Sequence, residues 1–162
     1  MPGTSSTAVA VAQANPKQAY EISGPLDPTK FYPKSGLLPA VRAVRGQSGS
    51  WDTVGRTRML ILSDGGHVIE TITDTGSPTY FAYNLSEFQK LFGMLVVGAR
   101  AEWRFERVDA GTRISWTYTF VGKPGRGWIV AMIVNLLWGP YMKKVLPPIA
   151  REVSRQASGT GV

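Results

Sequence analysis

The chain has 162 residues, near the usual size of one domain, and at that length roughly two-thirds of the unfolded surface is buried on folding, so no covalent staple is needed. It contains no cysteine, which excludes disulfides, a thiolate nucleophile and a cysteine-based zinc site, and which fits a reducing, cytoplasmic setting. The net charge of +7 raises nucleic acid or an anionic membrane as partners, but no run of four basic residues and no nucleic-acid motif occurs, so no nucleic acid is expected.

Met1 to Ala14 lacks a basic start and a continuous apolar core, so no secretory signal is expected there. Thr7 to Gln13 (TAVAVAQ) alternates weakly and predicts a first strand. Asn15-Pro16 offers an N-cap and a proline at the first helical position, which predicts a short helix over Pro16 to Ile22. Gly24-Pro25 ends it, and Asp27-Pro28 starts a second brief turn through Phe31.

From Pro39 the pattern has period two. Ala40 to Gln47, Val54 to Ser63, Gly66 to Thr73 and Thr79 to Leu85 predict consecutive strands, separated by turn-forming Ser48-Gly49, Asp64-Gly65-Gly66 and Thr75-Gly76-Ser77-Pro78. Val96 to Val108 and Thr112 to Val121 form a last pair that turns at Asp109-Ala110-Gly111. Ser86 to Gly93 (SEFQKLFG) fits a strand continuation or a helical turn, and is expected to be a loop.

Arg126 to about Gln156 has the steps of three and four that mark a helix, with Gly139-Pro140 expected to kink or split it. Its most apolar part, Trp128 to Trp138 (WIVAMIVNLLW), is eleven residues long, whereas a membrane span needs about twenty. No transmembrane segment is therefore expected. The helix is expected to lie across the sheet with Met132 and Leu136 against Trp103 or Trp116, and with Ser86 to Val97 covering its outer face. An uncovered outer face would mark a dimer or a membrane-surface contact. The chain is expected to be a monomer or a homodimer.

Alternation assigns several inner faces. Ala99, Ala101, Trp103 and Phe105 oppose Arg100, Glu102, Arg104 and Glu106, so the first set points inward. Ile114, Trp116, Tyr118 and Phe120 do the same on the last strand, and Phe81, Tyr83 and Leu85 on the strand before the loop. Small Ala99 and Ala101 beside large Trp103 and Trp116 leave room, and an enclosed cavity of roughly 300–1,000 Å³ is expected. The hairpin at Asp64-Gly65 leaves two registers open. A two-residue loop places His67, Ile69 and Thr71 beside Leu60 and Leu62; a three-residue loop pairs Arg58 with Glu70 and brings Val68, Glu70 and Ile72 to that face.

The order strand, two short helices, six strands, long helix resembles the START-like helix-grip superfamily, which includes Bet v 1-like proteins and polyketide cyclase/dehydrase and lipid-transport relatives. The resemblance covers nearly the whole chain. It is carried by Val54-Gly55 leading to Arg58, by Asp64 to Ile72 (DGGHVIETI), and by Gly111-Thr112 leading to Trp116 (GTRISW). Phe31-Tyr32-Pro33 departs from the Trp-His-Pro cluster of many relatives, so the entrance to the pocket need not match theirs. The resemblance implies a single α+β domain in which a seven-stranded curved antiparallel sheet, two short helices and a long C-terminal helix enclose a cavity for an apolar small molecule. It also implies that Arg58 and Glu70 point into that cavity. With them, Leu60, Phe81, Tyr83, Trp103, Trp116 and Tyr118 on the sheet and Met132 and Leu136 on the helix are the expected ligand wall.

Three functions fit these residues. The first is binding of a lipid, polyketide or ring-shaped metabolite. The second is a polyketide cyclase/dehydratase-like enzyme with Glu70 or His67 as base and Arg58 as oxyanion partner. The third is a module that presents lipid at a membrane surface. His67 beside a Gly-Gly turn also reads as a solvated loop histidine, and Asn135 either enters the pocket or lies on the outer helix face. One histidine and no cysteine leave no metal set, no phosphate loop or Ser-His-Asp motif is present, and no cofactor is expected.

Overall fold

The computed structural model describes residues 3–47 and 49–159. Strand β1 (Thr4–Ala12) is followed by helix α1 (Pro16–Ser23) and a 3-10 turn (Pro28–Lys30). Strands β2 (Val41–Arg45), β3 (Thr57–Leu62), β4 (His67–Gly76) and β5 (Tyr80–Ser86) come next. Helix α2 (Lys90–Leu95), strands β6 (Val96–Val108) and β7 (Gly111–Gly122), and helices α3 (Gly127–Ile133) and α4 (Gly139–Gly159) complete the chain. The strands form one seven-stranded antiparallel sheet in the order β1-β7-β6-β5-β4-β3-β2, with α4 packed on β1 and α1.

Local chemistry explains the first elements. The Asn15 side chain accepts from the Gln18 amide at 2.8 Å and the Gln18 side chain accepts from the Asn15 amide at 3.1 Å, a reciprocal cap that fixes the start of α1. Asp27 caps the 3-10 turn by accepting from the Thr29 amide at 3.0 Å. Strand β3 starts at Thr57, three residues later than the alternation predicts, because Gly55 turns at φ +91° and gives its N–H to the Ile72 carbonyl. The segment expected to be a loop after β5 is partly helical, since Lys90–Leu95 closes a short helix between β5 and β6.

The motifs that carried the family resemblance have structural jobs here. Asp64 accepts from the Gly66 amide at 2.8 Å while Gly65 takes φ +87°, which builds the three-residue turn between β3 and β4. Thr112, fully buried, donates to the Ala14 carbonyl at 2.8 Å and ties β7 to the chain leaving β1. Gly111 sits at φ +137°, and a Cβ there would lie 2.2 Å from the Ala12 carbonyl oxygen. Gly111→Ala is therefore expected to destabilise the protein by at least about 3 kcal/mol, read as a lowered denaturant midpoint with unchanged slope.

The C-terminal helix crosses the concave face of the sheet without a break. A π-helical turn, Val134–Trp138, joins α3 to α4, so the split expected at Gly139-Pro140 is replaced by a local unwinding just before it. Pro140 has no N–H to offer the carbonyl of Leu136, which favours a wider turn at that point. Gly139 lets the helix approach β1 closely, since a Cβ there would meet Ser6 Oγ at 3.0 Å.

The face that α3 turns inward differs from the predicted one. Val130 and Val134 are buried and Trp138 packs on the core, whereas Met132 is 50% exposed, Leu136 is 68% exposed, and Asn135 also lies outside. The expected contacts of Met132 and Leu136 with Trp103 or Trp116 are not formed. An apolar run such as WIVAMIVNLLW offers two stripes at helical spacing, 128/132/136 and 130/134/138, and periodicity alone cannot choose between them.

Candidate functional site

Between the sheet, the 3-10 turn, α2 and the C-terminal helix lies a cavity of about 120 Å³. It is smaller than the 300–1,000 Å³ expected, and four large aromatic side chains, Trp138 and Tyr141 from the long helix and Phe88 and Phe92 around α2, enter its lining. Its lining reaches the surface at Asp64 and Gln89, both exposed, which places the mouth between the β3–β4 turn and the entry to α2.

The register of β3 and β4 decides what faces this space. Arg58 pairs with Glu70 and Leu60 with Val68, the three-residue alternative. Arg58 and Glu70 therefore point inward, with side chains 8% and 4% exposed, and Arg58 Nε donates to Glu70 Oε2 at 2.6 Å. His67 occupies the other face of β4, half-buried, and is absent from the cavity lining. The guanidinium also lies over the Trp51 ring, 4.1 Å from its centre. Its Nη groups have no hydrogen-bond partner among the described residues.

The aromatic wall is continuous. Phe81 stacks on Trp103 at 5.8 Å between ring centres, and Trp103 on Trp116 at 5.2 Å. Of the residues expected in the ligand wall, Leu60, Phe81, Tyr83, Trp103 and Tyr118 line the cavity. Trp116 does not: it is fully buried behind Trp103, with Tyr32 and Trp138 against its edges, and belongs to the core. Met132 and Leu136 are also outside the site, for the reason given above.

Several cavity residues had no place among the predicted ones. Trp51 lies in a Gly-Ser-rich turn, where a large aromatic among small polar residues is itself a sign of burial elsewhere. Trp138 was legible as apolar but not as inward. Its indole N–H is buried with no partner, as is the Ser23 hydroxyl. The Trp103 indole N–H approaches the Tyr83 hydroxyl without reaching good hydrogen-bond geometry.

Burial dominates the ionisation of the tyrosines at the site. It pushes Tyr83 and Tyr118 well above the usual phenol range, and the Glu70 charge adds to the effect in both. Tyr141 is pushed up to about 12, again by burial. A phenol whose folded-state pKa is raised contributes stability that is fully present below the unfolded value of 10.0 and is lost as pH rises through the folded value. Phenolate absorbance from these residues should therefore be missing near pH 10 and emerge at higher pH together with loss of the folded circular dichroism signal. Titration of all the tyrosines near pH 10 in folded protein would contradict the buried placement.

A curved antiparallel sheet gripping a long C-terminal helix around an apolar cavity defines the helix-grip class of proteins. The chain belongs to the family described as polyketide cyclase / dehydrase and lipid transport, whose model matches residues 4–153. No curated protein matches it. Solved structures of the same fold include TTHA0849 from Thermus thermophilus, 17% identical with a TM-score of 0.67 over 95% of this chain and 99% of that one. The di-domain aromatase/cyclase StfQ from the steffimycin biosynthetic pathway is 12% identical, with a TM-score of 0.66 over 98% of this chain and 53% of that one. Ara h 8.0201 is 16% identical, with a TM-score of 0.63 over 91% and 97% of the two chains. At these identities the likeness is one of fold.

Proposed function

We propose that the protein binds a small apolar molecule, ring-shaped or acyl, whose polar end is a hydrogen-bond acceptor held by Arg58. The observation that carries this reading is the buried Arg58–Glu70 pair at the cavity wall, in which Nε is engaged while the Nη groups are left without a partner. Trp138 Nε1 and Ser23 Oγ, both lining residues, add two more unpartnered polar groups able to donate. Leaving the Trp138 indole N–H and the Ser23 hydroxyl buried and unpaired costs about 1–3 kcal/mol each, and a ligand carbonyl, quinone or carboxylate oxygen would recover part of that. The cavity volume suits a single ring or a short chain, with larger ligands requiring movement of Phe88, Phe92 or Trp138.

Carriage is preferred to catalysis. The carboxylates in the lining are Asp64, which caps the Gly66 amide at the mouth, and Glu70, which is held by Arg58. Native mass spectrometry of the protein purified from its own host tests the reading. A retained small-molecule mass, released on collisional activation, is the expected result; a clean apo mass at every activation energy, together with no uptake of apolar ketones or acids, would remove it.

A further inference from the structure

The outer face of α3 and the π-helical turn after it carries Trp128, Met132 and Leu136 one turn apart, and Trp128, at 67% exposed, is about as open as Leu136. Beside it, α2 exposes Leu91 and Met94. The two helices are joined: Lys123 Nζ donates to the Gly93 carbonyl at 2.6 Å, and Arg126 donates to the Met94 carbonyl. Their apolar side chains thus form one uncovered surface, and α2 does not close over α3 as the sequence suggested.

Charge says what this surface meets. Between Asp109 and Glu152 the chain has no carboxylate side chain, while Lys123, Arg126, Lys143, Lys144 and Arg151 all fall in that stretch. Lys143 and Lys144 are exposed just beyond the apolar stripe, and Arg126 just before it. Glu87, ahead of α2, is the nearest acidic residue in the chain on the α2 side. A second copy docked on this face would set these cations against their own images. A bilayer with anionic headgroups answers both features, taking the apolar stripe into its interfacial layer and the lysines to its headgroups.

We propose that the α2–α3 face docks the protein on an anionic lipid bilayer, lying in the interface and not crossing it. The helix Gly127–Gly159 is long and apolar enough by length and composition to span a membrane. Its opposite face, though, is committed to the core through Val130, Val134, Tyr141, Met142 and Val145, all buried, and these cannot turn to lipid without unfolding the domain. Docking also has a consequence for the cavity. Phe92 lines the cavity from α2, and Leu91 and Met94 of the same short helix face outward. That helix has no side-chain N-cap, and two left-handed non-glycine residues, Glu87 at φ +58° and Lys90 at φ +57°, precede or open it. Docking places this short cover of the cavity against the apolar layer.

Docking does not depend on what the cavity holds, so its test is separate. The full chain is mixed with vesicles of phosphatidylcholine alone and of phosphatidylcholine with phosphatidylserine, at low and high salt, and sedimented. Binding to the mixed vesicles that weakens with salt is expected, with quenching of Trp128, the exposed tryptophan, by brominated lipid. Trp128→Glu with Leu136→Glu should weaken binding by at least roughly tenfold. Lys143→Gln with Lys144→Gln should weaken it roughly fivefold per charge removed. Both pairs lie at exposed positions, and unchanged thermal unfolding would show the fold intact. The proposal is overturned if wild-type protein ignores the mixed vesicles at low salt, or if both variants bind as well as wild type. It is equally overturned if sedimentation velocity shows a dimer that the Trp128 and Leu136 changes dissociate, which would make a second copy the occupant.

Discussion

Glu70→Ala should lower the unfolding free energy by about 3–5 kcal/mol, because it strands the Arg58 guanidinium at an almost fully buried site. The contact that would be lost is short and charge-assisted, 2.6 Å from Nε to Oε2, and the other carboxylate of the cavity lining, Asp64, is engaged at the Gly66 amide. Stacking on Trp51 gives the cation partial compensation, which holds the loss toward the lower end of that range. Removing both charges is a different experiment. Arg58→Ala with Glu70→Ala leaves no stranded ion, so its cost should be smaller than the sum of Glu70→Ala and Arg58→Ala measured singly by more than about 1 kcal/mol. Denaturant unfolding of the single and double variants measures this coupling. Additive losses would mean that the two side chains act independently and that no buried pair organises the site.

Truncation after Gly122 should abolish folding altogether. The inner face of the sheet carries Phe81, Trp103, Trp116, Tyr118 and Phe120, all buried, and much of their cover comes from the last 40 residues. Each such side chain returned to water costs about 1.5–3 kcal/mol. Against a typical net stability of about 5–15 kcal/mol, losing most of that cover leaves nothing to hold the sheet. The truncated chain is expected to aggregate, or to stay soluble without near-ultraviolet circular dichroism and without a cooperative thermal transition. A monomeric truncation with sharp, cooperative unfolding would show that the helix is an appendage.

What could be read from the sequence followed the strength of each local pattern. Strands β6 and β7 and their inner faces were legible because long alternation with charges on one side leaves a single solution. The caps at Asn15 and Asp27 were legible because Asn-Pro and Asp-Pro have a specific geometric use. The β3–β4 hairpin was not settled by its residues, since Asp64-Gly65-Gly66 supports two loop lengths and β3 has no clearly apolar face; only the resemblance favoured Glu70 inside. The inward stripe of α3 was lost for the opposite reason: with apolar residues on every side, Val130 and Val134 looked no different from Met132 and Leu136. Trp51 and the cover around α2 were illegible because they reach the cavity from turns, where side-chain direction depends on backbone geometry that no period reveals.

A crystal structure of the protein as purified from its host tests the central claim most directly. The account predicts ligand density between Trp51, Tyr83 and Phe92, with an oxygen within about 3 Å of an Arg58 Nη and the Arg58–Glu70 contact intact. Density bound anywhere else, or an interior closed by side chains with Arg58 turned to solvent, would contradict it.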